Sequence, residues 1–420
     1  LWVWKVPEGP YLTLPVLGGA LGYFVDIFDL LLFHIIKTPS LNALGVAAGQ
    51  QLEVGARLLN WQMNGLLLGG ILWGVLGDKR GRRSVLFGSI ILYSLANIGN
   101  AFVHSVEAYT VCRFLAGLGL AGELGAAVTL VGEALPKEVR GYGSSIVAGV
   151  GICGAVVAGA VGKLFTLHWP GAGWSYAYLM GGALGLMLLG LRMGLQESSL
   201  FQEVRDQAVP KGNFLMLFAS RRRFWRFPRC ILAGMPVWFV VGILVVNSES
   251  FAPALGVRGH VENGLAVAWG YAGGALGDLL AGAVSQAFRS RRKAIAAYLA
   301  MATVGIVIFL LQRGLTATEF YLLCAALGFS FGYWALLITV ASEQFGTNLR
   351  ATVTTTVPNF IRGSLTPMTF GFLAFKGRIG LLPAAAAVGA IVLLLAGFSV
   401  ARMEESFDRD LDFLELGPEI

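Results

Sequence analysis

The residues of this chain that could do chemistry are ionisable side chains set in long apolar runs. Asp26 and Asp29 lie one turn apart in Gly22-Tyr-Phe-Val-Asp26-Ile-Phe-Asp29-Leu-Leu-Leu-Phe33, hence on one helix face. Arg113 opens another such run, ahead of Gly117 and Gly119, and Glu123 follows ten residues later. Further along stand Asp278, in Gly277-Asp278, and Arg362, in Pro358-Asn359-Phe-Ile-Arg362. A charge in hydrocarbon costs at least ~2.5 kcal/mol, so these residues are expected to face a watery cavity. Buried carboxylates can take up and release protons; a midplane guanidinium can grip a carboxylate or phosphate by parallel bonds. Asp29 and Arg113 fall at similar depth, so an ion pair is expected there, broken when a proton or substrate competes. A static bridge orienting two helices is the other reading. Glu123 is equally a second proton site or a buried neutral acid, Asp26 a proton site or a packing residue, and Arg362 a substrate ligand or the partner of Asp278. Gln62, Asn64, Asn247, Trp238, Tyr333, Trp334 and Asn359 are expected to line the same cavity.

Composition says what must hold these residues. The chain has 420 residues, 56% hydrophobic and only 13% charged, with mean hydropathy +0.71; soluble domains are about one quarter charged. An all-α, multi-pass membrane protein follows, and the net charge of +7 is not a nucleic-acid footprint. Uncharged runs of spanning length are expected as helices at about 12–35, 57–77, 84–103, 108–133, 141–165 and 174–193, then at about 229–251, 261–287, 294–312, 318–341, 351–375 and 380–401. The four cysteines are scattered singly, with no C-x-x-C pair, and neither metal-ligand spacing nor a cofactor loop is present, so no metal or cofactor beyond the proton is expected. No nucleophile–base constellation suggests an enzyme.

Between the second and third runs lies Gly74-Val-Leu-Gly-Asp78-Lys-Arg-Gly81-Arg82-Arg83. This G-x-x-x-D-(K/R)-x-G-(K/R)-(K/R) hairpin resembles the signature loop of the major facilitator superfamily. Arg113-x-x-x-Gly117-x-Gly119 is similar to another motif of that superfamily, in which the arginine aids proton coupling. Glu133-Ala-Leu-Pro136-Lys-Glu-Val-Arg140-Gly141 resembles the E-x-x-P-x-x-x-R-G element of its sugar-porter and metabolite–proton symporter branches. An internal repeat accompanies it: Glu343…Arg350 keeps the acid-to-arginine spacing 210 residues on. In the second half, Gly282-Ala-Val-Ser-Gln286 lacks the hairpin acid, while Arg289, Arg291, Arg292 and Lys293 keep the positive cluster.

The resemblance implies twelve transmembrane helices in two pseudo-symmetric six-helix bundles, 1–194 and 229–402, joined by a linker at 195–228 and followed by a tail at 403–420. It implies alternating access, with Gly74, Asp78, Arg82, Glu133, Arg140, Glu343 and Arg350 forming a gate on the cytoplasmic side. Of the 31 Lys and Arg, 22 fall in the segments on that side and seven on the other, which puts both termini in the cytoplasm. Short outer loops suit a bacterial inner membrane. The basic-aromatic cluster Arg221-Arg-Arg-Phe-Trp-Arg226 is expected at lipid headgroups. The seventh run lacks the glutamine cluster of hexose porters, and the fifth lacks the G-P-x-x-G-G element of drug antiporters, both of which point to a small polar or anionic metabolite. A monomeric, proton-coupled symporter is therefore expected. The alternatives are an efflux antiporter, a facilitator, or a solute receptor whose basic linker and acidic tail contact a partner.

Overall fold

The computed structural model describes residues 14–47, 50–136, 140–191, 202 and 211–415. The helices of the first half are α1 (Leu14–Ala43), α2 (Gln51–Arg80), α3 (Arg82–Ala101), α4 (Val106–Leu120), α5 (Glu123–Ala134), α6 (Arg140–His168) and α7 (Gly173–Leu191). The second half has α8 (Arg221–Phe239), α9 (Ser248–Ala254), α10 (Asn263–Phe288), α11 (Arg291–Leu311), α12 (Ala317–Ser330), α13 (Trp334–Gln344), α14 (Thr347–Gly363), α15 (Leu365–Ile379) and α16 (Leu381–Ala401). Among the described residues, nine stretches of helix are long and apolar enough to cross a membrane. The helices α2, α10, α14 and α15 are not among those stretches. Large apolar side chains such as Leu68, Leu95, Leu276, Val304 and Leu394 are more than half exposed, which suits lipid contact and not water.

Several helices break where the sequence supplies glycine, proline or a polar rescuer. Between α4 and α5, Trp73 Nε1 donates to the Leu118 carbonyl at 2.6 Å, satisfying a group that the break leaves over. After α8 the chain widens into a π turn, Val240–Val245, and the Asn247 amide donates back to Gly242 and Ile243. The break between α12 and α13 is capped by Asp278, whose Oδ1 accepts from the Ala335 N–H at 3.0 Å. Glycine permits close crossings in the first half: a Cβ on Gly117 of α4 would overlap the Gln62 carbonyl of α2.

In the first half α1 packs on α6 and α7, α2 on α4, and α3 on α4 and α7; in the second, α10 packs on α12, and α16 on α8 and α11. The halves meet where α10 crosses α6 and where α14 crosses α2 and α5. One boundary differs from expectation. Residues 221–228, assigned to the linker, are the first two turns of α8, which opens at a Ser220 side-chain cap. Most of the rest of the linker lies outside the described residues.

Candidate functional site

At the centre, Tyr23, Ile27 and Ile152 of the first half face Trp238, Tyr271, Phe331, Trp334 and Arg362 of the second across a cavity of about 30 Å³. That is room for about one water, so the cavity must widen to admit an organic molecule. Arg362 is 3% exposed. Its Nη1 donates to Asn359 Oδ1 at 3.2 Å, and its guanidinium lies 5.8 Å from the Trp334 ring. Among the described residues no carboxylate forms an ion pair with it, and its Nε has no hydrogen-bond partner. Asn359 in turn donates to the Ala121 carbonyl of the other half at 3.0 Å. The cation is thus fastened across the interface with no ion-pair partner among the described residues.

The other expected site residues divide. Trp238 and Trp334 line the cavity. Asp26 and Asp278 are buried beside it, in electrostatic range of Tyr23. Asp278 and Arg362 do not pair, because the aspartate serves the α13 N-terminus, with Oδ2 left over. Tyr333 is structural: its hydroxyl donates to the Ala233 carbonyl. Asn247 bonds its own helix, and Asn64 is exposed on the outside of α2. Gln62 is buried against α4 with no hydrogen-bond partner for its amide, and Glu123 accepts from Ser89 Oγ at 2.7 Å.

Asp29 and Arg113 lie inside the first half, on another side of α1 from the cavity. They sit in electrostatic range of each other, yet no ion pair within 4.0 Å joins them among the described residues. Arg113 instead stacks on Phe33 at 4.8 Å and donates to the Tyr178 hydroxyl at 3.5 Å. Asp29 packs against Gly181 of α7 and faces Asn97 of α3. A helix rotation of one residue decides which face an acid presents, and that rotation is invisible in the spacing.

The residues expected to form a gate converge. Asp78 accepts from the Ala351 and Thr352 N–H groups, both at 2.9 Å, and Arg82 donates to the Thr347 carbonyl, so the hairpin grips the first turns of α14. Gly74 lets Thr352 approach closely. Glu133 accepts from Arg82 of its own half and Arg350 of the other, both at 2.8 Å. Arg82 and Glu133 are 51 residues apart; Arg291 and Glu343, 52 apart, make the matching pair in the second half. The degenerate second hairpin therefore keeps its cation in Arg291. The side chain of Arg140 lies outside the described residues.

Sequence reasoning missed that the tail joins this cluster. The Leu411 carbonyl accepts from Arg350, and Thr347 bonds the Leu411 and Phe413 carbonyls. Glu404 pairs with Arg222 and Arg226, Glu415 with Arg223, and Ser406 donates to Glu343. The basic cluster at 221–226 thus meets the acidic tail of its own chain, while Phe224 and Trp225 stay exposed. Alternation of acid and base between two distant segments was the available signal. Burial opposes ionisation of Glu404, but hydrogen bonds from Arg222 and Arg226 overcome it and hold its carboxyl below the usual range. Glu405 is likewise opposed by burial and held low by Ser290 and by backbone N–H groups. Carboxyls depressed in the folded state contribute stability above their ordinary value of 4.5 and lose it as pH falls through the folded values. Limited proteolysis of the tail should accordingly show no change from about pH 8 to 5 and sharp release at lower pH; release on going from neutral to alkaline pH would contradict this.

Residues 19–366 match the Major Facilitator Superfamily, and the chain belongs to it, a family of transporters and not of enzymes. The niacin transporter NiaP of Acinetobacter baylyi is 27% identical over 374 residues, 81% of each chain. The 3-(3-hydroxy-phenyl)propionate transporter of Escherichia coli K12 is 27% identical over 394 residues, 87% of this chain and 91% of that one. The fold matches that of the proton:xylose symporter XylE, with a TM-score of 0.76 over 96% of this chain and 98% of the other at 16% identity.

Proposed function

We propose that this multi-pass membrane transporter is a monomeric, proton-coupled symporter of the bacterial inner membrane that carries a small ring-bearing carboxylate inward. Its twelve spans form two six-helix halves, 1–194 and 221–402, with the hairpin, the linker and both termini on the cytoplasmic side. The observation that carries the substrate reading is Arg362: a buried cation with no ion-paired carboxylate among the described residues, walled by Tyr23, Trp238, Tyr271 and Trp334. A guanidinium offers a carboxylate two parallel bonds, and aromatic walls suit the face of a flat ring. Niacin and 3-(3-hydroxyphenyl)propionate, which the relatives' names specify, each join one carboxylate to one aromatic ring. The interlocked hairpin, Glu133 and tail correspond to a state shut toward the cytoplasm.

Proton coupling is assigned to Asp29 with Arg113, and to Asp278 and Asp26 beside the cavity. The test is uptake of these two acids into proteoliposomes under an imposed pH gradient. Asp29→Asn is expected to abolish uphill accumulation, at least ~100-fold in rate (about 2.7 kcal/mol), while counterflow exchange continues. Equal loss of both activities would make Asp29 structural. Exchange without uphill accumulation in the unaltered protein would make it a facilitator.

A further inference from the structure

The interior of the first half carries polar groups that the substrate cavity does not use. Ser40 Oγ lies 3.3 Å from the Tyr109 hydroxyl, Tyr109 lies 2.6 Å from the Tyr178 hydroxyl, and Arg113 donates to Tyr178 at 3.5 Å. Ser40, Tyr109, Tyr178 and Arg113 are all fully buried. At one end of this chain, Pro39 and Asn42, which flank Ser40, line a cavity of about 380 Å³ at the end of the molecule opposite the hairpin. Trp174 lines the same cavity, packs edgewise on Tyr178 and lies tilted against Tyr109. At the other end, Tyr178 lies in electrostatic range of Asp29. Among the described residues, the Asp29 carboxylate and the Asn97 amide are buried with no hydrogen-bond partner of good geometry, although the two side chains lie close enough to interact with each other. A polar gap of that kind is served by water.

We propose that Ser40, Tyr109 and Tyr178 form a hydroxyl relay that brings protons to Asp29 from the outer cavity, without passing through the substrate site. The inference rests on the proton-coupled reading above. In each passage the Asp29 carboxylate gains one proton from a water beside Asn97. That water is refilled by the Tyr178 O–H, Tyr178 by Tyr109, Tyr109 by Ser40, and Ser40 by the cavity. Only O–H bonds form and break, no charge is left on the relay, and the hydroxyls rotate back to reset. Ser40 at present donates to the Lys37 carbonyl, so its rotation is part of the cycle. The groups around the endpoint are Arg113 from α4, Tyr178 from α7, Asn97 from α3, and His34 and Lys37, which lie near Arg113 along α1. Tyr23 and Ile27 of α1 line the substrate cavity, whereas Asp29 packs on α7. One helix thereby separates the two paths, and a proton can reach Asp29 while the substrate site is shut.

Tyr109→Phe and Ser40→Ala interrupt the relay without touching Arg113, and Tyr178→Phe interrupts it next to Arg113. In proteoliposomes with 3-(3-hydroxyphenyl)propionate as probe, each is expected to slow uphill, pH-driven accumulation about tenfold while counterflow exchange stays at the unaltered rate. The deficit should shrink as external pH is lowered, because a higher proton concentration compensates a slow delivery path. Should the unaltered protein show no pH-driven accumulation, the coupling reading fails and the relay falls with it. If that protein accumulates and Tyr109→Phe accumulates equally fast, coupling stands and the relay is overturned. Equal loss of accumulation and exchange in both Tyr109→Phe and Ser40→Ala also overturns it, since the hydroxyls would then be packing groups.

Discussion

Arg362→Met is expected to weaken binding of an aromatic carboxylate by about 2–5 kcal/mol, roughly 30- to 5,000-fold, because it removes one partner of a buried charge pair. Arg362→Lys should cost less, about tenfold, since an ammonium retains the charge but loses the planar fork that holds a carboxylate at two points. Isothermal titration with nicotinate and with 3-(3-hydroxyphenyl)propionate measures both. A second consequence separates ligand from scaffold. In the empty protein this guanidinium has one hydrogen bond, to Asn359, a stacking contact with Trp334, and no counter-charge among the described residues. Burying such a group is costly, and binding residues commonly lower stability. Arg362→Met should therefore melt at the same temperature as the unaltered protein or higher, while losing the stabilisation that ligand provides. Lower stability with unchanged affinity would assign Arg362 to structure and remove the basis for an anionic substrate.

The contrast between residues read well and read poorly from the sequence has a physical pattern. Depth was legible: an ionisable residue in a long apolar run is buried wherever the run folds, and Asp26, Asp29, Arg113, Asp278 and Arg362 are all buried. The hairpin was legible because a span boundary needs charges there, and its spacing matches what grips α14. Facing was not. Asn64 and Gln62 are two residues apart on α2, and one is exposed while the other is packed against α4. Asp278 looked like a free acid because nothing local shows that the tenth run breaks at 331–333 and leaves N–H groups for it to cap. The tail was missed because its contacts with Arg350, Thr347 and Asn348 are largely made by backbone carbonyls, which every sequence possesses.

Glu133→Gln should produce the largest conformational change of any single substitution at the gate. The carboxylate is fully buried and accepts at 2.8 Å from Arg82 in its own half and from Arg350 in the other, so one acid holds the two halves at this point. Removing one member of a buried ion pair costs about 3–5 kcal/mol, because the remaining charge stays out of water. Here that cost falls only on the state in which the halves are clamped. Once they part, both arginines regain water, so the full difference acts on the equilibrium between closed and open. A shift of this size is on the order of 10²- to 10³-fold or more, enough to turn a dominant closed state into a minor one. Spin labels at the exposed positions 80 and 293, one on each half, report it as a longer and broader distance distribution. Substrate exchange should slow as well, since a transporter that cannot close its cytoplasmic side cannot return its site outward. An unchanged distance distribution with the protein folded would show that Asp78, the α14 backbone and the tail suffice to hold the gate, and that Glu133 is a passenger in it.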